Sequence, residues 1–151
     1  MAAPLFSVLS QAFSEAFTLL ASAARTVTVG TNGAAVAGFG RFRRLILLLD
    51  VTAAATDAGD TLDVYVDGSV DNLTWFNVAH FTQVVGNGGA KKFVAVLDAS
   101  NPGTSVFDVT ADAAAGAVRP AAFALYLRAR WVIVDADGDG GFTFSVTGYG
   151  Q

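Results

Sequence analysis

Leu62, Val64 and Val66 alternate with Asp63, Tyr65 and Asp67 inside the stretch DTLDVYVDGSVDNLTWFNVAHFTQVV, residues 60–85. A period of two sends alternate side chains to opposite faces of an extended chain, so this segment reads as a strand with one buried face. Ser69, Asp71 and Asn72 follow. Their short polar side chains hydrogen-bond nearby backbone and favour a turn. The run from Thr74 to Val85 is rich in aromatic and β-branched residues, which suit a pleated, half-buried surface. The stretch is expected to form a hairpin with a heavy apolar load and no catalytic equipment.

The same signals recur along the chain. Arg25–Val29 alternates, and Thr31, Asn32 and Gly33 form a turn. Phe39–Val51 is the most apolar segment, and both parities are apolar from Leu45 to Leu49. That predicts a strand covered on both faces. The glycine-rich break at 86–89 precedes a strand over Lys91–Leu97, and Asn101-Pro102-Gly103 is a turn before a short strand over Val106–Val109. Leu125, Leu127, Ala129, Trp131 and Ile133 share one face of a strand over Ala124–Val134. The chain turns through DADGDGG and returns along Gly141–Thr147, which predicts a closing hairpin with Phe142, Phe144 and Val146 on one face. About eight strands and no long interior helix define an all-β chain, an antiparallel β-sandwich of jelly-roll-like type. Strand count alone does not separate a jelly roll from an immunoglobulin-like sandwich.

Residues 1–20 read as an N-terminal arm and residues 21–151 as the sandwich domain. Leu5, Leu9, Phe13, Phe17 and Leu20 recur at helical spacing, which predicts an arm or short helix. An extended arm covering a sheet edge is the alternative. The segment has an Ala-Ser-Ala site of signal-peptide type but no basic start, and Glu15 interrupts it. It is too broken to span a membrane, and without a basic face it does not suit a membrane surface.

Only 15% of the residues are charged against 53% apolar, which suggests that much of the surface meets other protein. The net charge is −4, and the only lysines are Lys91 and Lys92, an unsuitable set for nucleic acid. The absence of cysteine excludes disulfides and thiolate chemistry. His80, the one histidine, shares a face with Phe76 and Val78 and reads as a core or interface residue; no catalytic set and no cofactor are expected. Asp135, Asp137 and Asp139 match the opening of a calcium loop, but the twelfth position is Val146 and not a carboxylate. A solvated hairpin turn is the plainer reading, with a looser calcium site as the alternative. Arg41, Arg43, Arg44, Arg128 and Arg130 form the main positive set, all expected on strands. They serve either as interface anchors or as internal ion pairs with Asp50, Asp63, Asp67 or Asp135. Ser69-Val70-Asp71-Asn72-Leu73-Thr74-Trp75 is similar to the Asp-box turn of sialidases, one residue short and without its glycine. It reads as a turn closed by Asp71 with Trp75 beneath.

Taken in order, Thr18–Thr26, Leu49-Asp50-Val51-Thr52, Asp60–Val64, the Ser-x-Asp turn with Thr74-Trp75, Phe81-Thr82-Gln83, Arg128–Trp131 and Phe142–Val146 resemble small structural proteins of tailed bacteriophages. The resemblance runs over most of residues 18–148 and rests on strand-and-turn patterns. It implies a non-enzymatic virion protein, most like a capsid decoration or cement protein. Such a protein would be assembled in the host cytoplasm and sit on the capsid surface, as a homotrimer against the major capsid protein and other virion proteins. Neck, head–tail joining and tail roles use similar domains. Phe6, Phe13 and Phe17 would then anchor the arm, with Arg41, Arg43, Arg128 and Arg130 as further interface candidates. A glycan-binding module stacking sugars on Tyr65, Trp75 and Tyr126 is the competing reading, and an enzyme with a remnant Asp-box a more remote one.

Overall fold

The computed structural model describes residues 14–26, 28–99, 108–119, 124–138 and 140–151. Ten strands make it up: β1 (Glu15–Thr26), β2 (Thr28–Asn32), β3 (Val36–Ala37), β4 (Arg44–Ala53), β5 (Thr61–Ser69), β6 (Phe76–His80), β7 (Val84–Val85), β8 (Lys91–Asp98), β9 (Tyr126–Val134) and β10 (Gly141–Gly150). They form two antiparallel sheets, ordered β1-β10-β4-β8 and β2-β9-β5-β6, with β3 added to β9 and β7 to β5. The pairings are nested: β1 with β10, β2 with β9, β4 with β8, β5 with β6. Rolling up one long antiparallel hairpin gives this order: β5 and β6 are its tip within one sheet, and the major strands on either side of them alternate between sheets. It is a jelly roll, and this nesting separates it from the immunoglobulin arrangement.

The alternation seen in the sequence sets the core. On β4, Leu45, Leu47, Leu49 and Val51 are buried. Leu62, Val64 and Val66 of β5 and Leu127, Ala129, Trp131 and Ile133 of β9 join them from the facing sheet, with Phe142, Phe144 and Val146 from β10. Burying a side chain of this size contributes about 1.5–3 kcal/mol, so this shared face dominates the stability.

Several expectations change. The outer face of β4 is only half-buried at Ile46 and Leu48, so this strand is not covered on both sides. Strands β9 and β10 do not form a hairpin: they lie in different sheets. Residues 15–20 are not helical. They begin β1, which crosses residue 20 and pairs with β10 from Glu15 opposite Gly150 to Thr26 opposite Gly141. Leu19 is buried and Phe17 meets Phe39 edge-on at 4.8 Å. Phe6 and Phe13 lie outside the described residues. So do residues 106 and 107 of the short strand expected there, and Asp108 and Val109 are not in a strand. Phe39–Arg41 is a 3-10 turn, which takes Arg41 off the strand; Arg43 precedes β4 and Arg44 opens it.

Candidate functional site

The outer face of the β9-β5-β6 layer holds most of the buried polar side chains. Register puts Arg130, Tyr65 and His80 in one row across three strands. The Tyr65 ring lies 4.0 Å from the Arg130 guanidinium and stacks on His80 at 4.1 Å. Two residues along, Arg128 stands opposite Asp67, which stands opposite Asn77. Asp67 is buried, accepts from Arg130 Nε at 2.9 Å and from Asn77 Nδ2 at 3.3 Å, and lies 3.6 Å from Arg128. Arg128 in turn sits over the Trp75 ring at 4.2 Å.

The 108–119 segment straps this face. Arg130 Nη2 donates to Asp112 at 2.6 Å, the Ala113 N–H donates to Asn77 Oδ1 at 2.9 Å, and Arg119 donates to the carbonyls of Asn77 and Ala111. Burial draws the Arg130 pKa down, but hydrogen bonds and charge from Asp67 and Asp112 outweigh it and the net shift is upward. Burial first, then the Asp63 and Asp112 charges, raises the Tyr65 phenol against the opposing pull of Arg130.

This arrangement decides several expectations. Arg128 and Arg130 are engaged internally by Asp67, the internal-pairing alternative. His80 is buried, with the Asp63 carboxylate 2.8 Å from Nε2 and the Ala113 carbonyl 2.9 Å from Nδ1. Both ring nitrogens face acceptors, so neither is available to a substrate as a base. Tyr65 is stacked with His80 and lies against Arg130, and Arg128 sits over Trp75; Tyr65, Trp75 and Tyr126 are all half-buried. Arg41 pairs with Glu15 and lies over Phe42 at 4.9 Å, while Arg43 and Arg44 are exposed. Asp71 does close its turn: it accepts from the Leu73 and Thr74 N–H groups at 2.8 and 2.7 Å and from the Ser69 hydroxyl at 2.9 Å. Those bonds hold its pKa at about 2.

Two features at opposite ends of the roll were not singled out in the sequence. Where β4 begins and β5 ends, Gly40, Phe42, Val70, Ala99, Ala124 and Leu125 line an open apolar cleft of about 290 Å³. Val70 is 60% exposed and Leu125 49%, so the cleft offers exposed apolar surface. Leu125, expected on the inner face of its strand, lies outside it on this rim. At the other end, Asp57, Asp60 and Asp137 converge, with oxygens all within 4.8 Å of one another. Of the described members of the expected calcium set, Asp137 is in this group and Asp135 is not. Asp135 Oδ1 accepts from the Asp137 and Gly138 N–H groups, and Asp139 lies outside the described residues.

No helix among the described residues is long and apolar enough to cross a membrane. No protein-family model, curated protein or solved structure matches the chain.

Proposed function

We infer that the chain is a non-enzymatic virion protein of a tailed bacteriophage, a capsid decoration protein that binds and stabilises the major capsid lattice. The observation that carries this reading is the apolar cleft between Phe42, Val70 and Leu125 on an otherwise self-contained jelly roll. The Arg and His side chains of the β9-β5-β6 face are taken up by internal partners, so that face has few groups left for chemistry. An exposed apolar end on a rigid sandwich is suited to a protein partner, since desolvated apolar anchors carry most interface energy. The phage resemblance supplies the partner class: the major capsid protein, met by copies arranged as a trimer over capsomer junctions. A neck, head–tail joining or tail position is the alternative within the same virion reading.

The test uses Val70→Glu and Leu125→Glu, exposed positions whose change leaves the core intact. Each variant should melt like the parent and lose binding to capsids assembled without the protein. Parental binding by both would remove the cleft from the interface.

A further inference from the structure

The geometry points to a calcium site made by Asp57, Asp60 and Asp137, at the end of the roll opposite the apolar cleft. It does not depend on the capsid reading. Pairing creates the site: Thr61 stands opposite Val134, so the loop ahead of β5 and the turn after β9 leave the sheet side by side. Asp60 and Asp135 are the next residues out on each strand.

The decisive group is Asp60. It is 0% exposed. Its Oδ1 accepts from the Ala136 N–H at 2.9 Å, which ties it to the turn. Its Oδ2 is buried and accepts no hydrogen bond. A buried carboxylate oxygen without a partner is strongly unfavourable. This oxygen faces the turn: a Cβ on Gly140 would lie 2.6 Å from it and 3.1 Å from Asp135 Cγ. Gly140 thus brings its backbone close against Oδ2, an approach that a larger residue would not allow. Among the described residues no ion pair reaches Asp57, Asp60 or Asp137, so no side-chain cation offsets the three carboxylates.

The donor set selects the ion. Carboxylate oxygens alone suit a hard cation, and neither thiolate nor imidazole joins them. Oxygens on opposite sides of Ca²⁺ stand up to about 5 Å apart, twice the Ca–O distance, against about 4 Å for Mg²⁺. Oxygens within 4.8 Å of one another fall inside the span that calcium bridges. Calcium also accepts the irregular geometry that two separate loops provide. Bound there, it would pin the β4–β5 loop to the β9–β10 turn and close this end of the sandwich.

The test is calorimetric titration of chelator-treated full-length protein with CaCl2, with melting curves recorded alongside. Asp57 and Asp137 are exposed, so Asp57→Asn and Asp137→Asn should fold normally. Each should weaken calcium binding by about ten-fold or more and reduce the calcium-dependent rise in Tm. Asp60→Asn should abolish that rise. No heat and no Tm change at about 5 mM CaCl2 would overturn the site. So would parental affinity in both exposed variants, and tighter binding of Mg²⁺ would overturn the choice of ion.

Discussion

Asp67 on β5 holds the Arg130 guanidinium of β9 at 2.9 Å while itself only 3% exposed. A carboxylate this buried is stable only because Arg128, Arg130 and Asn77 surround it. The pairing organises the outer face: Arg130 covers Tyr65 and reaches Asp112, which helps fix the 108–119 strap.

Asp67→Ala should therefore leave two largely buried guanidiniums short of a partner. A loss of about 3 kcal/mol is expected by urea denaturation at neutral pH, the low end for a broken buried pair because Arg130 keeps Asp112. A loss below about 1 kcal/mol would mean that water screens the pair as at a surface.

Asp71 gives a pH signature. Its pKa is about 2 in the fold against an ordinary 3.8. A depressed carboxylate stabilises the fold above the unfolded value, and that contribution fades as pH falls toward the folded one. The stability gap between the parent and Asp71→Ala should be constant above roughly pH 5, shrink between about 4 and 2, and keep no charge-dependent part below 2. Melting curves across pH measure it, and a pH-independent gap would show that the turn does not need the charge.

Arg25 closes the irregular stretch of β1. Its guanidinium donates to the carbonyls of Ala21, Ala23 and Phe144 at 2.8–2.9 Å and lies over the Trp131 and Phe144 rings. Burial lowers its pKa. Arg25→Ala should cost about 2 kcal/mol, and Arg25→Lys should recover little, because one ammonium does not reproduce the planar fork. Full recovery by lysine would assign the effect to charge alone.

Removing residues 1–13 spares all of β1 and gives the reference for a longer truncation. Removing residues 1–20 takes away Leu19 and the Phe17–Phe39 contact, and Tm should fall by about 10 °C or more. Equal melting of both truncations would make the start of β1 dispensable.

Period-two alternation made the inner faces of β4, β5, β9 and β10 legible in the sequence, because each sheet hides one side. Pairing was not legible. Nothing in the Trp131 or Phe144 pattern says that β9 and β10 enter different sheets and meet face to face, with those rings 6.1 Å apart. The helical reading near Phe17 failed because a spacing of four is even and fits a strand as well as a helix. Asp67 read as outward, correctly, but alternation does not reveal that a loop covers the outward face. Asp57 and Asp60 stand three apart in the sequence, but that spacing alone does not mark a site. Only the β5–β9 register brings them beside Asp137. The Phe42, Val70 and Leu125 cleft is likewise made by segments distant in the chain.

The most direct measurement is co-sedimentation of the purified full-length protein with phage capsids assembled without it, with its mass in solution determined in parallel. Saturable binding at a fixed ratio to the major capsid subunit is the expected result. A folded protein that stays in the supernatant at every concentration would contradict the capsid assignment.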